Sequence, residues 1–206
     1  MLEQFPNNPG YLLEQLTEEE LAPIWAEVRA IQAGENRKPA NQVLAGNIRE
    51  EYFLSTSRSH IEQTLMPRVD RYIRGFNYGE YLDQQSAGDR LHLGLTWVNF
   101  QRRGEFNPPH WHQGQFSFVI WLQIPYTFAE EVELAPSNTY AVNGDFHFQW
   151  TTSLGQIRNH SLLADRRLEG YACVFPATML HTVFPFYSTE ELRITVSGNW
   201  SFNGQA

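Results

Sequence analysis

From about Leu91 onward the sequence consists of short β-rich runs separated by turn residues: LHLGLTWVNFQ, QFSFVIWLQIPY, TYAVN, DFHFQW, YACVF and RITVSGNWSF. Val, Ile, Thr and aromatic residues suit a pleated, half-buried surface, and the breaks between the runs carry turn formers. Runs this close together argue for an antiparallel sandwich or barrel rather than for alternating βαβ units.

The first third reads differently. In LTEEELAPIWAEVRAIQA, Leu16 to Ala33, Thr17 and Glu20 form a TxxE capping box, and Leu21, Ile24, Trp25, Val28 and Ile31 recur on one helical face. Pro23 fits a helix only in its first turn, so regular helix is expected to begin later than the box. The segment QVLAGNIREEYFL reads as an early strand and its exit, and a second helix is expected from Ser59 to Ile73, broken or restarted at Pro67. One domain over residues 1–206 is expected, mostly helical over 1–90 with the β core over 91–203. A separate small helical domain is the alternative.

A 206-residue chain that is 42% hydrophobic and 14% aromatic buries enough apolar surface to offset chain entropy, which excludes global disorder. With 15 Lys and Arg against 23 Asp and Glu, the net charge of -8 gives no electrostatic reason for a phosphate-backbone binder, so nucleic acid is disfavoured as a partner. Cys173 is the single cysteine, so an internal disulfide and Cys-rich zinc spacings are both excluded. The opening residues lack a basic, apolar leader pattern, and no run approaches the roughly 18 apolar residues of a membrane span. A cytoplasmic protein with no membrane partner is expected.

Of seven histidines, three ask for chemistry. His110 and His112 lie two apart in EFNPPHWHQGQFSFVIWL, and in extended chain residues i and i+2 project to the same side. Two imidazoles side by side in an interior are costly unless something satisfies both, and a metal does. His181 ends YACVFPATMLH at another apolar strand and can converge on the pair. His147, in alternating DFHFQW, reads as a hydrogen-bonded core residue.

Arg193 is the only positive charge in ELRITVSGNW. A buried guanidinium stays ionised and offers a fork that matches a carboxylate, and Thr195 on the same face adds a hydroxyl to the same anion. Two enzyme patterns compete. The first resembles the cupins: Gly170, Pro176 and His181 keep their second motif, with Thr178 in place of its glycine and Gln115 near the expected carboxylate. The second resembles the Fe(II)/2-oxoglutarate dioxygenases, in which an arginine follows the distal histidine. The resemblance is closer still to the 2OG-Fe(II) oxygenases of marine phages and bacteria, carried by TWVNFQRRGEFNPPHWHQGQFSFVIWLQIPY, FPATMLHTVFPFYSTEELRITVSGNW and LAGNIREEYFL.

That resemblance implies a mainly β fold of the α+β kind, a double-stranded β-helix (jelly-roll, cupin-like) barrel with N-terminal helices packed on it. It implies Fe(II) and 2-oxoglutarate, with His110 as first ligand, His181 as distal ligand and Arg193 as cosubstrate anchor beside Thr195. The family's usual carboxylate position holds His112 here, so either His112 completes the metal site or Glu105 or Asp145 does, and His112 is favoured. The implied reaction is hydroxylation of a small-molecule or peptide substrate, coupled to oxidative decarboxylation of 2-oxoglutarate to succinate. A metal cupin that works without 2-oxoglutarate and a catalytically silent barrel are the alternatives. Trp97, Asn99, Trp111, Trp121 and Gln123 are candidates to line the mouth of the site, with ordinary packing the favoured reading for each, and Glu130, Glu131 and Glu133 read as a solvated face.

Overall fold

The computed structural model describes residues 10–79, 82, 90–135, 141–152 and 154–202. Strand β1 (Leu12–Gln15) leads into helix α1 (Glu18–Gln32), strand β2 (Glu51–Phe53) and helix α2 (Arg58–Gly75). Strands β3 (Leu91–Gln101), β4 (Asn107–His110) and β5 (Phe116–Gln123) precede a short helix α3 (Phe128–Glu133). The chain then runs through β6 (Phe146–Thr151), β7 (Ile157–Leu162), β8 (Tyr171–Pro176), β9 (Leu180–Val183) and β10 (Arg193–Phe202). The strands build two antiparallel sheets, ordered β1-β8-β5-β10-β3-β2 and β4-β9-β6-β7. The sheets face each other without closing into a barrel.

Side-chain alternation on β5 explains why its sequence is almost continuously apolar: the strand is covered on both faces. Phe116, Phe118, Ile120 and Leu122 pack with Ile24, Val28, Ile61, Leu65 and Val69 of the helices. Val119 and Trp121 point the other way, toward Phe146, Phe148 and Phe175 between the sheets. The helices therefore pack on the outer face of the large sheet, and the inner face is left for a site.

Thr17 caps α1 through the complete box, and the helix starts at Glu18, earlier than Pro23 suggested. Pro23 sits in the second turn on the exposed side, where the carbonyl left without an N–H donor meets water. Pro67 likewise sits on the exposed face of α2, which runs through it unbroken. The helices are tied by Glu27 of α1, whose carboxylate accepts from the backbone N–H groups of Ser55 (2.8 Å), Thr56 (2.9 Å) and Ser57 (2.7 Å) at the start of α2.

The expected early strand shrinks to β2, preceded by a 3-10 turn at Asn41–Val43. Residues 141–143 of TYAVN form no strand, while the rest of that run lies outside the described residues. Strands β1, β4, β7 and β9 were not expected: three have only four residues, and β7 is an exposed edge with little alternation.

Candidate metal centre

The sequence NPPH of β4 makes an unusual strand, because two prolines remove two backbone donors. It is tolerated at an edge, which is where β4 lies in the small sheet. There its last residue, His110, stands directly opposite His181 of β9. Both histidines are held by the same local device. His110 Nδ1 donates to the carbonyl of Pro108 at 2.7 Å, and His181 Nδ1 donates to that of Met179 at 2.9 Å. A carbonyl only accepts, so each ring carries its proton on Nδ1 and presents the Nε2 lone pair elsewhere.

His112 joins them just past the end of β4, its backbone N–H donating to the Ala177 carbonyl at 2.8 Å. Potential ligand atoms of the three rings all lie within 4.8 Å of one another. Burial lowers the pKa of His110, against the opposing pull of the Pro108 carbonyl. Burial and then the charge of His110 bring His112 down to about 4. Burial also holds His181, 4% exposed, well below the ordinary histidine range, with its two neighbours adding to the effect. All three are neutral near pH 7, the form that binds a metal, and imidazole suits iron. Phe146 stacks on the His181 ring at 5.6 Å, and Phe175 meets it edge-on at 5.0 Å.

The large sheet supplies the opposite wall. Cross-strand register pairs Trp97 with Ser197, Asn99 with Thr195 and Gln101 with Arg193, and all six line the histidine cavity. Arg193 is 1% exposed. Its Nε and Nη2 donate to Gln101 Oε1 (2.9 and 2.6 Å), and Nη1 donates to Gly144 O (2.7 Å) and to the Tyr126 hydroxyl. Nη2 also reaches Phe184 O at 3.3 Å. Each acceptor is neutral, and among the described residues no carboxylate pairs with this guanidinium. Thr195 Oγ1 accepts from Asn99 Nδ2 at 3.0 Å. A cavity with a neutral three-imidazole set and a buried, carboxylate-free arginine suits a divalent iron and a dicarboxylate.

Neither alternative carboxylate lines this cavity. Asp145 is held by His147 (2.8 Å) and Ser161, and Glu105 by the backbone of Arg49 (3.2 Å) and Arg102 (2.9 Å). His147 is thus the hydrogen-bonded core residue expected. Trp97, Asn99 and Trp121, read as packing, line the cavity, whereas Trp111 is 58% exposed and Gln123 binds the Leu192 carbonyl outside it. Glu131 is fully buried, contrary to the solvated face expected, and accepts from the backbone N–H groups of Tyr187 and Ser188.

Glu51 was missed altogether. It lines the cavity from β2, is 1% exposed, and its carboxyl is pushed up to about 7 by burial, with the charge of Glu105 adding to the effect. Its sequence signal was alternation: in a strand over Glu51–Phe53, Glu51 shares a face with Phe53.

Residues 95–199, just over half of the chain, match the protein family described as "Putative 2OG-Fe(II) oxygenase". No curated protein matches the chain. Among solved structures, a Pseudomonas putida prolyl-4-hydroxylase is similar at 16% identity and a TM-score of 0.57, covering 95% of this chain and 94% of that one. A Trichoplax adhaerens prolyl hydroxylase, solved with a peptide fragment of hypoxia inducible factor, is similar at 11% identity and a TM-score of 0.53, covering 94% and 83%. A viral collagen prolyl hydroxylase from Paramecium Bursaria Chlorella virus-1 is similar at 11% identity and a TM-score of 0.51, covering 92% and 94%. At these identities the likeness is one of fold, the double-stranded β-helix. With a matched segment that runs from β3 into β10, the chain belongs to the 2OG-Fe(II) oxygenases, oxidoreductases that use Fe(II) and 2-oxoglutarate.

Proposed function

We propose that His110, His112 and His181 hold the iron, that Arg193 anchors the far carboxylate of 2-oxoglutarate with Thr195 beside it, and that a small molecule or a peptide side chain is hydroxylated next to the metal. The observation that carries this reading is the sharing of one cavity by three neutral imidazoles and a buried arginine that no carboxylate neutralises. When bound, iron and 2-oxoglutarate would supply the oxidising power for hydroxylation by oxygen, with succinate and carbon dioxide as the coproducts.

The chain's part is to bind, orient and keep water out. The Nδ1 bonds to Pro108 and Met179 fix the ring planes of His110 and His181. Phe146, Phe175 and Val119 wall the cavity with apolar surface. Three neutral ligands would leave the full charge of a bound metal for the cosubstrate dianion to offset. Arg193 would exchange neutral acceptors for a charged one, a stronger hydrogen-bonding partner. The alternatives of a metal cupin without 2-oxoglutarate and of a silent barrel give way to the family match.

The test is Fe(II)-dependent formation of succinate from 2-oxoglutarate in air. Activity that is abolished in His181→Ala, and restored by excess 2-oxoglutarate in Arg193→Ala, is the expected result. Succinate formation that survives His181→Ala would overturn the metal assignment.

A further inference from the structure

The cavity lining is uneven in hydrogen-bonding character. Arg193 brings positive charge to it. Elsewhere in the lining, buried acceptors lack donors to satisfy them. Asn99 Oδ1 and Asn107 Oδ1 are buried without a hydrogen-bond partner, and both residues line the cavity. Glu51 Oε2 accepts from Asn41 at 3.1 Å, which leaves Oε1 on the cavity side. Glu51 Oε1 and Asn107 Oδ1 flank one backbone position, Gly46, where a Cβ would fall against both oxygens. Glycine there keeps the acceptors uncovered. Unmet buried acceptors each cost about 1–3 kcal/mol, so such a cluster marks a place where a donor binds.

A second space adjoins the cavity. A cleft of about 440 Å³ shares Leu44, Trp97 and His112 with the cavity, and its lining carries no Asp, Glu, Lys or Arg. At its rim Trp111, Leu95 and Val43 expose 58%, 59% and 65% of their surface. The approach is thus uncharged and rimmed by apolar side chains while the cavity beyond it carries unmet acceptors, which does not suit an anionic substrate.

We infer that the primary substrate carries a nitrogen cation with N–H donors, a terminal ammonium or guanidinium group at the far end of an aliphatic stem, which enters past Trp111 and is held by Glu51 and Asn107. This rests on the assignment of the three histidines to iron and of Arg193 and Thr195 to the cosubstrate. Burial of Glu51 with only Glu105 acting on its charge supports the inference, because a bound cation would relieve both effects. The same chemistry is offered by a free basic amino acid or amine and by a Lys or Arg side chain of a peptide.

The experiment is anaerobic calorimetry on the full chain loaded with Fe(II) and 2-oxoglutarate, with matched probes: L-arginine against L-citrulline, and L-lysine against L-norleucine. The cationic member of at least one pair is expected to bind about tenfold tighter or more, as charge-assisted hydrogen bonds dictate. Glu51→Gln is expected to erase that preference, and Asn107→Asp to enlarge it. The Asn107 variant keeps the test decisive if the Glu51 variant does not fold. N-acetylated, amidated forms of arginine and lysine then separate a peptide source, which they mimic, from a free amine, which they do not. Equal binding within both pairs, or a preference that survives Glu51→Gln, overturns the inference. A separate titration of the Fe(II) protein with 2-oxoglutarate, in wild type and Arg193→Ala, reads the cosubstrate assignment by itself, so its failure is distinguished from failure of this inference.

Discussion

Arg193 shows how one side chain ties structure to chemistry. Its donors are distributed over Gln101, Tyr126, Gly144 and Phe184, a spread that a lysine ammonium with three donors on a flexible stem does not reproduce. Arg193→Lys is expected to lose about 1–3 kcal/mol of stability for a buried acceptor left unpaired, and to need at least about tenfold more 2-oxoglutarate for half-saturation. Thermal melts and a 2-oxoglutarate titration measure the two effects. Arg193 was legible in the sequence because it stands alone in an apolar run. Glu51 and Glu131 were not, because each sits among other acids that do face water. What distinguishes Glu131 is a pair of N–H donors at Tyr187 and Ser188, far along the chain, and no local pattern reports them.

Helices and strands differed in how openly the sequence showed them. The capping box at Thr17 announced α1 because its two hydrogen bonds are local, and the prolines misled only because their solvent-facing placement depends on tertiary packing. Strand β4 hid behind its prolines and strand β9 behind its brevity, although together they carry His110 and His181. The joint between α1 and α2 depends on Glu27, and removing its charge by Glu27→Gln is expected to cost about 1.5–3 kcal/mol, the range for hydrogen bonds to a charged group. Urea titration of the two proteins measures that difference. Burial raises the Glu27 pKa, but the hydrogen bonds from Ser57, Ser55 and Thr56 outweigh it and leave the carboxyl below its ordinary value. A depressed folded-state pKa contributes stability that is present above the unfolded value of about 4.3 and lost as pH falls through the folded one. The gap between wild type and Glu27→Gln is therefore expected to be constant near neutrality and to narrow in acid.

For the molecule as a whole, the β-rich second part made an antiparallel two-sheet architecture readable, and helices on the outer sheet face followed from their single apolar stripe. What could not be read was which strand faces point inward, and so Trp97, Asn99 and Trp121 were taken for packing. Among the described residues no helix is long and apolar enough to cross a membrane. The metal bridges β4 and β9 in our account, so its binding should stabilise the folded chain by linkage. At a hundredfold excess over its dissociation constant the gain is about 2.7 kcal/mol, or roughly 5–10 °C in melting temperature for a chain of this length. A scan with Mn(II) as a redox-stable substitute should show that shift in wild type and not in His181→Ala.

The most direct measurement is the anaerobic visible spectrum of the protein titrated with Fe(II) and then 2-oxoglutarate, repeated for His181→Ala and Arg193→Ala. A metal-to-ligand charge-transfer band is expected that requires both additions, is lost in the histidine variant and demands far more 2-oxoglutarate in the arginine variant. Iron that binds to the wild type without producing the band on addition of 2-oxoglutarate would contradict that expectation.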